Sequence, residues 1–380
     1  MAPVAEHHLR ASARIDETTN SAERLSEELV AFALSAGCVA AGVASAEIFW
    51  DTRRTLRERK ERGLDGGMQF TYRNPERSTD PRRILEGARS LLVAAWDYRR
   101  SPTTAPTGGE SPAERATGRV AEYACRDHYR DLRAALGLVA ERLSADGWRA
   151  AVICDDNALV DRAAAHRAGV GWFGKNSLLL VPGVGSRVVL GAVVTDAELV
   201  SVPETPTAHG VGCGSCHRCQ EACPTRALEA PGVLDARRCL AWLLQAPGSF
   251  PLEYRQALGD RIYGCDECQA ACPINRVADR RSPPPSPEPD SQPRVDILEI
   301  LGASDAELLA ELGRWYIPGR DPRYLRRNAL VVLGNVGDGR DPETVAVLSR
   351  WIAADDDLLA EHARWAAGRL GRDDLVAAVR

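Results

Sequence analysis

Apolar residues along this chain fall into stretches of helical and of strand period. In residues 21–36, Leu25, Leu29 and Phe32 share one helical face and Gly37 follows as a stop, which predicts a helix. Val39–Ala44 is a short apolar run of strand type. Residues 46–62 read as an arginine-rich helix broken at Gly63 and Gly66-Gly67. Asp80-Pro81 opens a turn, and Ser90–Trp96 is an apolar run of strand length. The stretch 101–118 is rich in Pro, Thr, Gly and Ser, which predicts a loop or a disordered insertion.

Leu132, Leu136, Val139 and Leu143 predict a long helix over 127–146. Trp148–Cys154 is the next strand, and it delivers Asp155-Asp156 at its C-terminal end. Leu159–Ala168 reads as a helix, and Gly169–Asn176 as a glycine-rich turn. Ser177–Val181 and Arg187–Thr195 read as a pair of strands. This alternation makes residues 21–200 an α/β or α+β domain. A cysteine-rich domain is expected over 201–280. Arg281–Arg294 reads as a proline-rich linker that holds its neighbours apart. Residues 295–380 are almost wholly helical in pattern. Leu325–Gly334, Glu343–Ala353 and Leu358–Leu370 are amphipathic, which predicts a small stack of paired helices of the HEAT type.

Composition narrows the class. A chain of 380 residues has material for two or three domains. Residues 1–20 are polar, without the apolar core of a signal peptide, and are expected to be disordered. No apolar run is long enough to span a bilayer, so a cytoplasmic protein with no membrane partner is expected. A net charge of −5 does not mark a nucleic-acid binder. Basic runs occur at Arg53–Arg62 and Arg320–Arg327, although such runs are usually solvated faces. The only lysines are Lys60 and Lys175. No obvious dimer helix is present, so a monomer is expected.

The cysteines change the picture. Eight of the eleven lie between Cys213 and Pro273. The spacing is Cys213-x2-Cys216-x2-Cys219-x3-Cys223-Pro, then Cys239, then Cys265-x2-Cys268-x3-Cys272-Pro. The first run has the bacterial ferredoxin spacing for a 4Fe-4S cluster, whose fourth cysteine ligates the other cluster. The second run is one ligand short, and Cys239 completes the count. Two 4Fe-4S clusters are therefore expected, one on Cys213, Cys216, Cys219 and Cys272 and the other on Cys223, Cys239, Cys265 and Cys268. Paired zinc sites would instead use Cys-x2-Cys pairs at wider separation. Disulfides would need an oxidising compartment. Cys38, Cys125 and Cys154 read as small buried hydrophobes.

Outside the cysteines, Gly169-x-Gly171-x-x-Gly174 has the glycine spacing of a dinucleotide loop. It follows a helix and leads into a strand, the reverse of the order a Rossmann unit requires. Asp155 ends a strand, a usual place for a catalytic carboxylate. From the residues alone, a helix cap is the plainer use of Asp155 or Asp156. Lys175 stands in a turn that could approach a cofactor phosphate or amide, or simply meet solvent.

The chain resembles the epoxyqueuosine reductase family along most of its length. Met68 with Arg73 precedes Asp80-Pro81-Arg82 and Gly87-Ala88-Arg89-Ser90. Tyr123-Ala124, Asp155, then Gly171-Trp172-x-Gly174-Lys175-Asn176 follow, and Thr195-Asp196-x-Glu198-Leu199 leads into the cysteines. Leu234-Asp235 before Cys239, Gly264 before Cys265 and Gln269 after Cys268 also match. So do Arg327-Asn328-Ala329 and Leu333-Gly334-Asn335.

The resemblance implies an α+β protein: a nitroreductase-like cobalamin-binding domain, a ferredoxin-like double-cluster domain and a C-terminal all-α HEAT-like repeat. It implies an oxidoreductase that converts epoxyqueuosine to queuosine and water at the wobble position of tRNA. Electrons from an unidentified donor would pass through both clusters to cobalamin and reduce its cobalt. Asp155 would give a proton to the departing oxygen. Phe70, Tyr123, Asp155, Lys175, Asn176 and Ser177 would contact cobalamin. The tRNA anticodon stem-loop would meet the arginine runs, with Arg320, Arg323, Arg326 and Arg327 as candidates.

The chain departs from the family pattern at Asp127-His128-Tyr129, where Asp-Tyr-His is usual. It also departs at Asp156-Asn157-Ala158, at Leu240–Leu244 and at Ile274, often Trp. Two other readings share the residues. One is a corrinoid reductase of a small molecule. The other is a non-catalytic electron carrier whose helical repeat docks a partner.

Overall fold

The computed structural model describes residues 21–99, 115–201, 210–282 and 290–378. Residues 21–35 are helical (α1), and Gly37 at φ +104° ends the turn. Strand β1 (Ala40–Ser45), helix α2 (Trp50–Glu61) and strand β2 (Ser90–Asp97) follow. Then come α3 (His128–Ala145), β3 (Ala150–Cys154), α4 (Asp161–Arg167) and β4 (Val188–Thr195). Helix α3 starts where Asp127 Oδ1 accepts the Arg130 N–H at 3.0 Å.

The strands form one antiparallel sheet in the order β1-β2-β4-β3. Side chains of a strand alternate between faces. Leu91, Val93 and Ala95 of β2 pack with Ala163–Ala165 of α4 on one side. Leu92 and Ala94 pack with Leu29 of α1 and with Leu132, Leu136 and Val139 of α3 on the other. Helices on both faces explain why β2 is a continuous apolar run.

Several expectations are corrected here. Ser177–Val181 and Arg187–Thr195 do not pair with each other. Strand β4 is central, held between β2 and β3, because its run of buried residues needs cover on both faces. Leu179–Leu180 instead pairs with Trp172–Phe173 in a small hairpin. Helix α2 begins at Trp50, later than the pattern suggested, with Phe49 buried before it. Thr117–Val120 is a strand, so the expected loop ends earlier; residues 101–114 of it lie outside the described residues, as do residues 1–20.

The cysteine-rich region is built from short helical turns, Arg218–Glu221, Leu240–Leu243 and Glu267–Ala270, and from α5 (Pro273–Arg281). Pro273 at the first helical position carries no N–H that would lack a partner. The helices that follow are α6 (Ile297–Gly302), α7 (Asp305–Leu312), α8 (Arg323–Val336), α9 (Pro342–Ile352) and α10 (Asp357–Arg369). The Ser304/Glu307 capping box starts α7, and Asp341 and Asp356 cap α9 and α10.

The segment before α6 does not hold its neighbours apart. Arg294–Asp296 pairs with Thr117–Val120, which also pairs with Arg261–Tyr263. One hydrophobic core then joins Val120, Leu243, Phe250 and Ile262 to Ile297, Leu308, Leu330 and Leu359. Residues 283–289 of the expected linker lie outside the described residues.

The fold absorbs much of the basic run near α8, while Arg54, Arg57, Lys60 and Arg62 of the earlier run stay exposed. Arg327 is fully buried and donates to the carbonyls of Ala246 and Gly248 at 2.7 Å and of Leu243 and Leu244 at 3.1 and 3.2 Å. Burial pulls its guanidinium down to about 10. Arg326 bonds Asp305, and Arg323 bonds Asp356. Arg53 is buried against Thr79, and Arg57 pairs with Glu76. Of the four arginines proposed for phosphate contact near α8, only Arg320 is exposed. Cys38, Cys125 and Cys154 are buried as expected, and burial pushes the Cys38 thiol up to about 11 and Cys154 to about 12. Among the described residues no helix is long and apolar enough to cross a membrane.

Candidate active site

A cavity of about 460 Å³ lies where the three regions of the chain meet. The first region contributes Met68, Gln69, Phe70, Tyr123, Tyr129 and Asp155. The cysteine-rich region adds Cys239, Trp242, Gln245 and Tyr263, and the C-terminal region adds Arg314, Trp315 and Tyr316. Most of the lining is aromatic or apolar, and Arg126 and Asp127 add charged groups to Asp155 and Arg314. Trp315 stacks on Tyr263 at 4.6 Å and donates its indole N–H to Ala124 O at 3.0 Å, which fixes that wall. Phe70 and Tyr316 are 41% and 56% exposed, which marks the mouth of the cavity.

Asp155 follows the last residue of β3 and adopts φ +50°, a left-handed conformation in which a non-glycine residue is strained. The helix-cap reading does not describe it. Asp156 Oδ1 accepts the Ala158 N–H at 2.7 Å, while Val160 holds the N-cap position of α4 with no side-chain cap. Asp155 reaches solvent through the cavity yet is ringed by protein. That crowding raises its pKa above the ordinary carboxylate value, and the nearby Asp161 raises it further, against the opposing charge of Arg133.

The eight clustered cysteines fall into two groups. Cys213, Cys216, Cys219 and Cys272 line a second cavity of about 130 Å³, together with Lys175, Asn176 and Ile274. In the other group, burial raises the Cys268 thiol, and Cys239 and Cys265 beside it add to the rise. Cys239 is raised mainly by burial, with Cys223 adding. Cys223 Sγ accepts the Ala227 N–H at 3.2 Å. Among the described residues no three His, Cys, Asp or Glu side chains converge on a single-ion site. Sulfurs that each ligate a different iron of a cubane stand too far apart to form one.

Of the residues proposed to contact cobalamin, Phe70, Tyr123 and Asp155 line the larger cavity, and Lys175 and Asn176 line the four-cysteine cavity. Ser177 is buried at φ +65°, and its carbonyl accepts from Arg162 at 2.8 Å. Sequence reasoning missed Gln245, Tyr263, Trp315 and Tyr316, since no periodicity or spacing marks them, whereas Tyr129 and Trp242 lie in stretches that depart from the family pattern. The one available signal was the departures: in the His128-Tyr129 pair, Tyr129 faces the cavity while His128 is buried against Tyr98 at 5.8 Å.

Residues 212–275 match the family model of a 4Fe-4S double cluster binding domain, a span that includes all eight of these cysteines. An epoxyqueuosine reductase of Bacillus anthracis is 32% identical over 94% of this chain and 92% of its own length. One of Xanthomonas campestris is 33% identical over 89% of this chain and 94% of its own. The chain belongs to the epoxyqueuosine reductase family.

Solved epoxyqueuosine reductases share the fold. A structure with a tRNA-Tyr epoxyqueuosine-modified stem loop superposes with a TM-score of 0.79 at 29% identity, covering 92% of this chain and 90% of the other. A Bacillus subtilis member, with its catalytic aspartate loop swung out of the active site, gives 0.79 at 28% identity over 94% of each chain. Like other epoxyqueuosine reductases this chain is an oxidoreductase, and its mixed helix-and-sheet fold carries a double 4Fe-4S domain.

Proposed function

We propose that this protein reduces epoxyqueuosine to queuosine in the anticodon loop of tRNA. The observation that carries the reading is a single cavity lined by both Asp155 and Cys239, a candidate acid and a candidate cluster ligand. The reaction adds two electrons and two protons to the epoxide, breaks both of its C–O bonds, and releases the oxygen as water.

Cobalamin is the cofactor the family resemblance implies, and the cavity residues fit it. A broad, mostly apolar wall of Phe70, Tyr123, Tyr129, Trp242 and Tyr263 suits a large ring, and the cavity is open on one side for its periphery. Bound there, cobalamin would supply a strongly reducing metal centre that side chains cannot provide. The same residues exclude water from the reacting carbons. Asp155, whose pKa its surroundings raise, donates a proton to the departing oxygen and lowers the barrier to its expulsion. Phe70, Tyr316 and Arg314 at the mouth hold the stem-loop, the aromatics by stacking and the arginine by its charge.

In this reading Cys213, Cys216, Cys219 and Cys272 hold the cluster remote from the cavity. Cys223, Cys239, Cys265 and Cys268 hold the one beside it. Residues 21–200 are a nitroreductase-like catalytic unit, 201–280 the two-cluster unit, and 295–380 a HEAT-like helical stack. The protein acts in the cytoplasm as a monomer, fed by a separate electron donor.

The test uses protein reconstituted anaerobically with iron, sulfide and cobalamin, given a strong reductant and epoxyqueuosine-bearing tRNA. Digestion and mass spectrometry should reveal nucleoside that has lost one oxygen atom. No conversion by protein with both clusters and cobalamin bound would send the search to small-molecule substrates.

A further inference from the structure

Lys175 stands at the tip of the Trp172–Phe173/Leu179–Leu180 hairpin and is only 8% exposed. The turn around it is stiff. Gly174 N donates to Leu178 O at 2.8 Å, Ser177 N donates to Gly174 O at 3.1 Å, and Asn176 Oδ1 accepts from Leu178 N at 3.2 Å. The lysine stem lies against Gly210, whose φ is +80°, and a Cβ there would come within 2.5 Å of Lys175 Cγ. Nζ donates to Gly214 O at 2.7 Å, inside the loop between Cys213 and Cys216.

Among the described residues no carboxylate pairs with this ammonium; the Gly214 carbonyl is its polar partner. A buried cation without a counter-charge is costly. The cavity it lines is walled by Cys213, Cys216, Cys219 and Cys272. An iron–sulfur cluster held by four thiolates is anionic, and becomes more so on reduction.

We propose that this cluster is the missing counter-charge, and that Lys175 tunes it by raising its reduction potential above the value the cysteines alone would set. Lys175 has N–H donors left over after the bond to Gly214, and these are available to cluster sulfur. The cation stabilises the reduced cluster more than the oxidised one. The cluster therefore accepts its electron from an external donor at a higher potential. It then passes that electron to the second cluster without making or breaking a bond. Lys175 is a tuning residue and touches no substrate.

The inference rests on the two-cluster reading, so the test needs neither tRNA nor cobalamin. Full-length protein, reconstituted with iron and sulfide, is titrated with dithionite and mediators while visible and EPR spectra are recorded. Two reduction waves are expected. Lys175→Met keeps most of the side-chain length and removes the charge. It should lower one wave so that the reduced-to-oxidised ratio at a fixed potential falls at least tenfold, or about 59 mV for one electron. The other wave should stay, and Lys175→Arg should keep both near wild type.

Waves that do not move in Lys175→Met, or that move together, overturn the proposal. If Lys175→Met fails to load its cluster, Lys175→Gln is titrated instead. If neither neutral variant holds the cluster, Lys175 serves assembly and the proposal falls. Wild type that binds no iron overturns the two-cluster reading itself, which is a different result.

Discussion

Asp155 and Cys239 line the same cavity although one ends a strand of the sheet and the other precedes a short helical turn of the cysteine-rich region. In the proposed reading, proton donor and electron source thereby share one chamber. The substrate oxygen must meet a proton as its carbons receive electrons, so this neighbourhood is what the chemistry requires.

Asp155 acts as an acid only while protonated, and its pKa is raised by crowding and by Asp161. Turnover is therefore retained below that raised pKa and lost as pH rises through it. Asp161→Asn removes a charge that raises it, so the alkaline limb of the kcat/KM profile should move to lower pH. Asp155→Asn should cost roughly 10²–10⁴-fold in kcat, the usual contribution of a general acid. Cluster spectra in both variants should match wild type.

Ligand grouping is open to iron analysis. Cys219→Ser and Cys272→Ser should each lose the same cluster, because these cysteines line one cavity. Cys268→Ser should lose the other. Each single variant should keep about half of the iron of wild type, and combining Cys219→Ser with Cys272→Ser should lose no further cluster. A Cys272→Ser protein with the Cys268→Ser spectrum would refute the grouping.

Phe70 and Tyr316 are exposed at the cavity mouth. Replacing either with Ala should weaken stem-loop binding by about 1–3 kcal/mol, the range for a lost base–aromatic stack. The loss should show in KM more than in kcat, and binding of the stem-loop can be read directly by fluorescence anisotropy.

Arg327 gives the opposite expectation. Its guanidinium satisfies four backbone carbonyls, those of Leu243, Leu244, Ala246 and Gly248. Arg327→Met should lower stability by about 3 kcal/mol in urea denaturation, because buried acceptors lose their donors. Affinity for the stem-loop should be unchanged under native conditions, since the side chain never reaches solvent.

The double-cluster domain was legible in the sequence because most of its cysteine spacing is local. Three cysteines in one loop must meet one cubane, wherever the loop sits. The helices at 21–35, His128–Ala145 and Arg323–Val336 were equally legible, because each carries its own apolar period. Asp155 was singled out by its place at a strand end and by the resemblance that its surroundings carry.

Tertiary structure alone decided the rest. The eight-residue run of β4 has no property that names its neighbours, so its central place between β2 and β3 depended on which faces needed cover. The arginines near α8 read as a basic surface, but helix geometry turned Arg327 inward to the carbonyls of a distant turn. Lys175 stood in a turn that could approach a cofactor phosphate or amide or meet solvent, and the hairpin carried it to the four cysteines. The aromatic walls of the Asp155 cavity come from three regions of the chain. Sequence encodes local period and spacing directly. It encodes non-local meeting points only through the packing of the whole chain, and most of this cavity is made of such meetings.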